Sequence, residues 1–231
     1  MISERKLAVA HSGFWHQILP FSERFVRRVN LRSRQSGKAL LSTAAPDRKA
    51  LLGELAFRLF AGSVEGGVLP LEPGRLRPEL IAATFEYMRR FEDWPADALG
   101  AVDEEVAEAE AMAGRLTAMF HSEAWAADVL PCPSFPGCGF VEACAGDVLV
   151  GDLLVEVKAV ERTFRIGDFR QVLAYLALNV ASRRFTIRRV ALVNPRRGRL
   201  MEMAVRELCL ELSGRGEADL LQEVVSYMSS E

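Results

Sequence analysis

The sequence predicts an α/β fold that begins with a mainly helical region. Apolar residues recur at helical spacing over residues 103–127, apolar and polar residues alternate over residues 147–158, and a further strand pattern covers residues 185–193. A period near 3.6 is typical of a helix packed on one side, and a period of 2 is typical of a strand. Half of the 231 residues are hydrophobic, so the chain has enough apolar side chains for a substantial core.

The first hundred residues are predicted to be helical, because apolar residues recur at helical spacing between breaks at prolines. The breaks fall at Pro20, Pro46, Pro78 and Trp94-Pro95. We therefore predict a helical N-terminal region over residues 1–100, which binds substrate or a partner. Residues 101–231 are predicted to hold the α/β core.

The core region alternates between helices and strands. An acidic first turn at residues 103–105 suits the positive N-terminus of the helix that continues through residue 127. Prolines then predict a loop over residues 131–136. After it we predict, in order, a short strand over residues 140–144, a hairpin over residues 147–158, a helix capped by Asp168, a strand over residues 185–193, a partner strand over residues 200–205 and a closing helix after Glu217.

The register of the hairpin follows from its turn. Gly151-Asp152 predicts a two-residue connection, because glycine at the first central position suits a type II′ turn. This turn predicts three facing pairs, which are Val150 with Leu153, Val148 with Val155, and Asp147 with Glu156. Facing Cβ atoms lie about 4.5–5.5 Å apart, so the two carboxylates can share one divalent cation.

The two faces of this hairpin differ in character. Side chains alternate along a strand, so Asp147, Glu156 and Lys158 share one face with Leu149 and Leu154, whereas the other face is wholly aliphatic. Lys158 follows Glu156 by about 6.6 Å along the strand. Two acids and a lysine that converge in this way indicate a metal-dependent hydrolase.

These residues carry a resemblance to a known family. Asp147 followed by Glu156-Val157-Lys158 resembles the signature of the PD-(D/E)xK nuclease superfamily. Gln171 and Tyr175, four residues apart on one helix face, resemble the Q-xxx-Y motif of its RecB-like and Cas4-like branch. Gly146 rather than proline precedes Asp147, as is common in the RecB-like branch. The resemblance covers residues 103–200 and implies a restriction-endonuclease-like core, a mixed sheet flanked by helices in the order α-β-β-β-α-β.

The resemblance implies a Mg²⁺-dependent deoxyribonuclease, an endonuclease or an exonuclease, that acts in DNA repair, restriction or defence against foreign DNA. Asp147, Glu156 and the backbone carbonyl of Val157 would bind Mg²⁺ or Mn²⁺, because these hard cations prefer oxygen ligands. Lys158 would orient the attacking water or meet the developing negative charge. Gln171 and Tyr175 would form hydrogen bonds into the site or contact the strand that is cut.

Two alternatives for the site stay open. In the first, the charges on the hairpin and Gln171 belong to an ordinary solvated surface, and Tyr175 only packs on its helix face. Leu149 and Leu154 on the same face argue instead for a half-buried cleft. In the second, Asp152 replaces Asp147 as the acid that faces Glu156, although Asp152 lies in the turn and points away from the pair.

Charge is unevenly distributed along the chain. The net charge of −2 argues against a generally basic nucleic-acid-binding protein, yet residues 1–60 hold 11 Lys and Arg against 4 acids, and residues 61–130 hold 5 against 14. The basic segment either follows a phosphate backbone or pairs with the acidic middle segment. The candidate nucleic-acid contacts are Arg27, Arg28, Arg165, Arg170, Arg196 and Arg197.

The cysteines do not predict a metal centre. They form no C-x-x-C pair, and most of them precede Asp147, so we expect neither zinc nor an iron–sulfur cluster. They are Cys132, Cys138, Cys144 and Cys209.

The sequence leaves two function classes open. No run is long enough to span a bilayer and the first residues lack a sustained apolar segment, so we expect a cytoplasmic protein with no membrane association. The first class is a metal-dependent DNA nuclease. The second is a nuclease-fold subunit that binds nucleic acid or assists assembly without cleaving. The modest net charge favours a partner protein, or a second copy of the chain, that helps to hold the DNA.

Overall fold

The structure, a computed structural model, describes residues 1–42, 44–66, 78–89, 103–122 and 129–230. Its helices are α1 (Glu4–Ala10), α2 (Ser12–Ile18), α3 (Ser22–Arg32), α4 (Lys49–Glu65), α5 (Pro78–Met88), α6 (Asp103–Ser122), α7 (Ile166–Ser182), α8 (Val205–Ser213) and α9 (Glu217–Ser229). Its strands are β1 (Arg34–Gln35), β2 (Val129–Pro131), β3 (Ser134–Phe135), β4 (Cys144–Ala145), β5 (Val148–Val150), β6 (Leu153–Val157), β7 (Arg189–Asn194) and β8 (Arg199–Ala204). A 3₁₀ turn, Pro46–Arg48, leads into α4.

The strands form a mixed sheet in the order β1-β8-β7-β6-β5-β2, and β3 pairs with β4 separately. β6 and β7 are parallel, whereas the other neighbouring strands of the large sheet are antiparallel. Parallel neighbours need a long crossover, and α7 provides it between β6 and β7. The predicted α/β class is confirmed.

Helices cover both faces of the sheet. On one face, Phe60 of α4 and Phe120 of α6 pack against the aliphatic side chains of β5 and β6. On the other face, Leu149 and Leu154 pack in a larger cluster with α7, to which α1, α8 and α9 also contribute. The charged face of the hairpin is therefore covered by α7 and is not an open surface.

The predicted register of the hairpin is confirmed. Val150 pairs with Leu153 and Val148 pairs with Val155. Gly151 has a φ of 58°, the left-handed conformation that a glycine adopts at little cost in the first central position of such a turn. Because side chains alternate, this register also decides which face Asp147 and Glu156 occupy.

The first 35 residues pack into the same core as the C-terminal half. Leu7, Trp15 and Phe25 lie in one hydrophobic cluster with the side chains of α7. β1 pairs with β8 and forms an edge of the large sheet. The break predicted at Trp94-Pro95 lies outside the described residues, so the division at residue 100 stays a prediction.

The strand predicted over residues 140–144 is wrong. Val141 forms only single bridges, to Ile2 and to Cys138, and regular pairing begins at Cys144. The reason is a tight turn before it, in which Gly139 has a φ of 55° and Val141 N–H donates to the Cys138 carbonyl. The backbone groups of Cys138 and Val141 bond to each other within the turn, so they do not form a regular ladder with a neighbouring strand.

The strand predicted over residues 185–193 begins later, at Arg189. The side chain of Asn179 bonds both backbone groups of Phe185, accepting from its N–H and donating to its carbonyl, each at 2.9 Å. Phe185 is therefore held by the end of α7 and not by a neighbouring strand. The closing helix after Glu217 is confirmed, and the last residues of the helix predicted over 103–127 lie outside the described part of the chain.

Among the described residues, no helix combines the length and the hydrophobicity that crossing a bilayer requires.

Candidate active site

The hairpin and α7 bring the predicted site residues together. Asp147 directly precedes β5, Glu156 lies near the end of β6, and Lys158 directly follows β6. Gln171 and Tyr175 lie on α7, one turn apart and both buried. Because α7 packs on the face that carries the charges, the helix residues meet the hairpin residues at one end of the sheet.

A chain of short hydrogen bonds joins these side chains. The Val157 N–H donates to Asp147 Oδ2 at 2.6 Å. Lys158 Nζ donates to Glu156 Oε1 at 2.6 Å and to Gln171 Oε1 at 2.7 Å. The ammonium group of Lys158 therefore bridges the hairpin and α7.

The Glu156 carboxylate is buried and incompletely bonded. Glu156 is only 1% exposed, and its Oε2 atom has no hydrogen-bond partner among the described residues. An oxygen in this state is costly to the fold, because burial removes its water without a replacement. Such a group calls for a further cation or donor, and it is not a solvated surface charge.

The electrostatics of the cleft act on Asp147 and Lys158 in different ways. Desolvation and the negative charge of Glu156 hold the pKa of Asp147 well above its usual range, although Lys158, the Val157 N–H and Arg5 oppose the change. Desolvation alone would lower the pKa of Lys158, but the charges of Glu156 and Asp147 raise it above its ordinary value. The two acids thus lie close to Lys158, with Arg5 as a second cation nearby, and the pKa of Asp147 stays raised in spite of both.

The alternative acid, Asp152, lies at the turn end of the hairpin and does not face Glu156. Asp152 Oδ1 accepts from Arg189 Nε at 3.0 Å and from Arg189 Nη2 at 2.8 Å. Arg189 also pairs with Glu202 at 2.7 Å. Asp152 therefore belongs to a surface ion-pair cluster, at the opposite end of the hairpin from Asp147.

Two residues of α1 that the sequence did not single out also lie in the site. Glu4 is buried and accepts from Gln171 Nε2 at 3.2 Å and from Tyr175 OH at 3.3 Å. The side chain of Arg5 is 64% exposed in the cleft, and the charges of Glu156 and Asp147 help to raise its pKa against the effect of desolvation. The only local signal was Ser3, which caps α1 by accepting from the Lys6 N–H.

The site opens into a cleft of about 710 Å³. Its walls are α1, the first turns of α4, the loop over residues 158–165 and the start of α7. Ion pairs tie this loop to its neighbours, because Lys49 contacts Glu161 at 2.7 Å and Arg162 binds Asp168 through two 2.7 Å bonds. The cleft is large enough for a small segment of a polymer or a compact ligand.

Asp168 supports the start of α7 from inside the helix. The helix begins at Ile166, and Arg165 is its cap, so the predicted capping position of Asp168 is wrong by one turn. The Asp168 carboxylate nevertheless accepts from the Arg165 N–H at 2.8 Å, which satisfies one of the donors exposed at a helix start. This contact orients the helix that carries Gln171.

The predicted nucleic-acid contacts separate into different environments. Arg165 is exposed and lines the cleft. Arg170 and Arg196 are buried, where Arg170 donates to the Ala8 carbonyl and Arg196 pairs with Glu108 at 2.5 Å.

The remaining three arginines do not line the cleft that contains Asp147. Arg197 donates to the Glu161 carbonyl at 2.7 Å. Arg27 is exposed on α3, and Arg28 forms an ion pair with Glu211 beside a separate cavity. The predicted basic surface on α3 is therefore not part of the cleft wall.

The donors of the cleft fit a hard divalent cation such as Mg²⁺ or Mn²⁺ better than a softer metal that prefers thiolate or imidazole ligands. Among the described residues, no three His, Cys, Asp or Glu side chains converge on a single point. Asp147 and Glu156 provide two carboxylates in addition to that of Glu4, and Glu156 holds a buried oxygen without a partner among the described residues. Oxygen donors in small number suit Mg²⁺, which keeps several waters when it binds.

No family model, curated protein or solved structure matches the chain.

Proposed function

We propose that the chain is a PD-(D/E)xK nuclease that hydrolyses phosphodiester bonds of DNA with Mg²⁺ or Mn²⁺. The observation that carries the proposal is the end of the hairpin, where Asp147 and Glu156 lie on one face with Lys158. The Glu156 Oε2 atom there is buried without a partner. In an ordinary network of ion pairs each charged group has its hydrogen-bond partners. Here Glu156 Oε2 and one ammonium proton of Lys158 have none among the described residues, so both can bind a ligand.

The order of the elements supports a restriction-endonuclease-like core. When the separate β3–β4 pair, which lies between β2 and β5 in the chain, is set aside, α6, β2, β5, β6, α7 and β7 have the order α-β-β-β-α-β, and β6 and β7 are parallel around α7. This is the order that the resemblance implies. The helices α1 to α3, with α8 and α9, would be additions to that core.

The residues of the site divide the chemistry between them. Asp147, Glu156 and the Val157 carbonyl would hold the cation. When bound, Mg²⁺ or Mn²⁺ supplies a Lewis acid for the phosphate and lowers the pKa of a coordinated water. Lys158 uses two of its three ammonium protons on Glu156 and Gln171, so the third is left to orient a water or to meet negative charge on the phosphate.

The substrate would be held by the cations that face the cleft. Arg5 and Arg165 line it and are exposed. Lys49 and Arg162 also line it, and each is paired with an acid, as is Arg5, whose Nε lies 3.6 Å from Glu4 Oε1. Contacts of this kind neutralise phosphates without reading a base sequence.

The test is cleavage by the purified chain with Mg²⁺ or Mn²⁺. Single-stranded, linear double-stranded and circular DNA, together with RNA, distinguish endonuclease from exonuclease and DNA from RNA. The proposal expects DNA cleavage that is lost in Glu156→Gln and in Asp147→Asn, with the fold retained by circular dichroism. Absence of cleavage of every substrate with both cations would refute it.

A second function, a nuclease-fold subunit that binds nucleic acid without cutting it, is favoured by one observation. Arg28, Arg196 and Arg197 are engaged in contacts within the chain. Few of the predicted contacts are thus available to hold DNA, and a partner protein or second copy would supply them. This second function would be established if the purified chain, or its assembly with a partner, binds DNA but cleaves none of the substrates with either cation.

A further inference from the structure

We propose that Glu4 is a positioning residue of the active site, which fixes the side-chain amide of Gln171 so that its oxygen faces Lys158. This inference rests on the proposed function only for its effect on cleavage. The positioning itself is a property of the folded chain and can be measured without a substrate.

Glu4 closes a triangle of hydrogen bonds with two residues of α7. Gln171 Nε2 donates to Glu4 Oε1 at 3.2 Å and to Tyr175 OH at 2.9 Å. Tyr175 OH in turn donates to Glu4 Oε1 at 3.3 Å. All three side chains are buried, with exposed fractions of 7%, 4% and 1% for Glu4, Gln171 and Tyr175.

The chemistry of these groups allows one orientation of the amide. A carboxylate only accepts hydrogen bonds, and an ammonium group only donates them. Gln171 must therefore turn its NH₂ group to Glu4 and its oxygen to Lys158, where the Lys158 Nζ to Gln171 Oε1 distance is 2.7 Å. The reversed amide would place oxygen against carboxylate and NH₂ against ammonium, and both contacts would be repulsive.

A packing role does not explain Glu4. α1 packs against α7 through Leu7 and Ala8, and an apolar residue at position 4 would bury surface without the cost of desolvating a carboxylate. Trp15 Nε1 donates to the Leu7 carbonyl at 2.8 Å, so α1 is fixed in place beside the site. A buried acid on a rigid helix is the arrangement expected of a residue that orients a neighbour.

The test replaces Glu4 by the isosteric glutamine and measures the titration of Lys158 by NMR of labelled lysine side chains. The chain has only four lysines, Lys6, Lys38, Lys49 and Lys158, so Lys158→Arg assigns the signal. In Glu4→Gln the amide of Gln171 can reverse, because residue 4 now both donates and accepts. We expect the Lys158 midpoint to fall by about one pH unit, the equivalent of one lost charge-assisted hydrogen bond.

Two matched variants separate positioning from a general effect. Glu142→Gln removes the same charge from an exposed side chain whose backbone N–H bonds to Ile2, and it should leave the Lys158 midpoint unchanged. Tyr175→Phe keeps the bond from Gln171 to Glu4, so it should shift the midpoint much less than Glu4→Gln does. An unchanged midpoint in Glu4→Gln, or equal shifts in Glu4→Gln and Glu142→Gln, would overturn the inference.

A measurement on the wild type covers the case in which Glu4→Gln does not fold. The side-chain NH₂ protons of Gln171 should show NOEs to Glu4 and to the Tyr175 ring and not to the Lys158 methylene next to its ammonium. The opposite pattern would overturn the inference without any variant.

The effect on cleavage is the second readout. Lys158 must be protonated to serve the water or the phosphate, so a lower pKa moves the alkaline limb of the pH–rate profile to lower pH. Because the pKa of Lys158 lies above its ordinary value, the ammonium group stays charged at neutral pH, so the roughly tenfold fall in kcat expected there, with KM nearly unchanged, comes from its altered position and not from deprotonation. If the wild type cuts no substrate, the proposed function fails, whereas the titration of Lys158 still decides the role of Glu4.

Discussion

The β5–β6 hairpin carries an aspartate at each end, Asp152 at the turn and Asp147 at the open end, and the surroundings of the two side chains differ. At the turn, Asp152 is partly exposed and binds Arg189, which also binds Glu202. At the open end, Asp147 faces a second acid, Glu156, and the two share Lys158. Each end has two acids around one cation, but Asp152 and Glu202 are partly exposed and paired with Arg189, whereas Glu156 Oε2 at the open end is buried without a partner among the described residues.

This difference separates a structural charge cluster from a candidate site. Exposed ion pairs contribute little to stability and need no other partner. A buried carboxylate oxygen without a hydrogen bond costs stability, and a fold keeps such a group where a ligand completes it. Changes at the two ends should therefore have unlike consequences.

The largest expected effect is on cleavage at the open end. Lys158→Ala should lower the rate by a factor on the order of 10³, because it removes the cation that we propose to act on the water and the phosphate. It should still bind Mn²⁺, since both carboxylates remain. Lys6→Ala, on the exposed face of α1, is the matched control and should cut at the wild-type rate. Equal losses of cleavage rate in Lys158→Ala and Lys6→Ala would show that Lys158 has no specific part in cleavage.

Asp147→Asn should stabilise the protein when no divalent cation is present. The raised pKa of Asp147 means that the folded state binds a proton more tightly than the unfolded state does. This contribution is fully present below the ordinary aspartate pKa of about 3.9, and it is lost as pH rises through the raised value. At pH 7 the variant should gain on the order of 1 kcal/mol, because asparagine can still accept from the Val157 N–H without a charge beside Glu156.

Urea unfolding at a series of pH values, in the presence of a chelator, measures this gain. The wild type should lose stability relative to Asp147→Asn as pH rises from 4 to 7. A variant that is less stable than the wild type at pH 7 would show that Asp147 is a satisfied structural acid, like Asp152.

The arginines of α3 test whether nucleic acid extends beyond the cleft. If α3 follows a phosphate backbone, Arg27→Ala should weaken DNA binding and reduce the slope of log K against log salt by about one unit. Arg28→Ala should weaken binding and also lower the free energy of unfolding by up to about 1 kcal/mol, because Arg28 pairs with Glu211. Binding measured by fluorescence anisotropy at several salt concentrations separates these effects. Unchanged binding in both variants, with reduced stability in Arg28→Ala, would assign the basic segment to the fold.

The smallest effect is expected at the turn end. Asp152→Asn should change the free energy of unfolding by less than about 1 kcal/mol, because it removes one exposed ion pair. Cleavage and cation binding should be unaffected. A loss of cleavage comparable to that of Asp147→Asn would mean that the two ends of the hairpin are not functionally distinct.

The residues of the hairpin could be predicted because local rules decide them. A glycine at the turn and strict alternation determine the register, and the register determines that Asp147 and Glu156 share a face. The resemblance to the Q-xxx-Y motif singles out Gln171 and Tyr175, and helical spacing places them on one helix face. In both cases the information lies within about ten residues of the chain, which is the range over which a sequence pattern is reliable.

The rest of the site depends on contacts that no local pattern encodes. Glu4 meets Gln171 across 167 positions, and only the packing of α1 on α7 brings them together. The arginines near the β7–β8 turn looked available for DNA, yet Arg196 is buried against Glu108 of α6. The strand predicted over residues 140–144 is wrong for a similar reason, because bridges to Ile2 and to Cys138 replace a ladder there.

The most direct test is the position of Mn²⁺ in crystals of the wild-type protein, located by its anomalous scattering. We expect an ion at the open end of the hairpin, bound by the carboxylates of Asp147 and Glu156 together, and no ion at Asp152. Loss of that ion in crystals of Asp147→Asn would complete the result. An open end without bound Mn²⁺ at millimolar concentration, or an ion held by Asp152 instead, would contradict it.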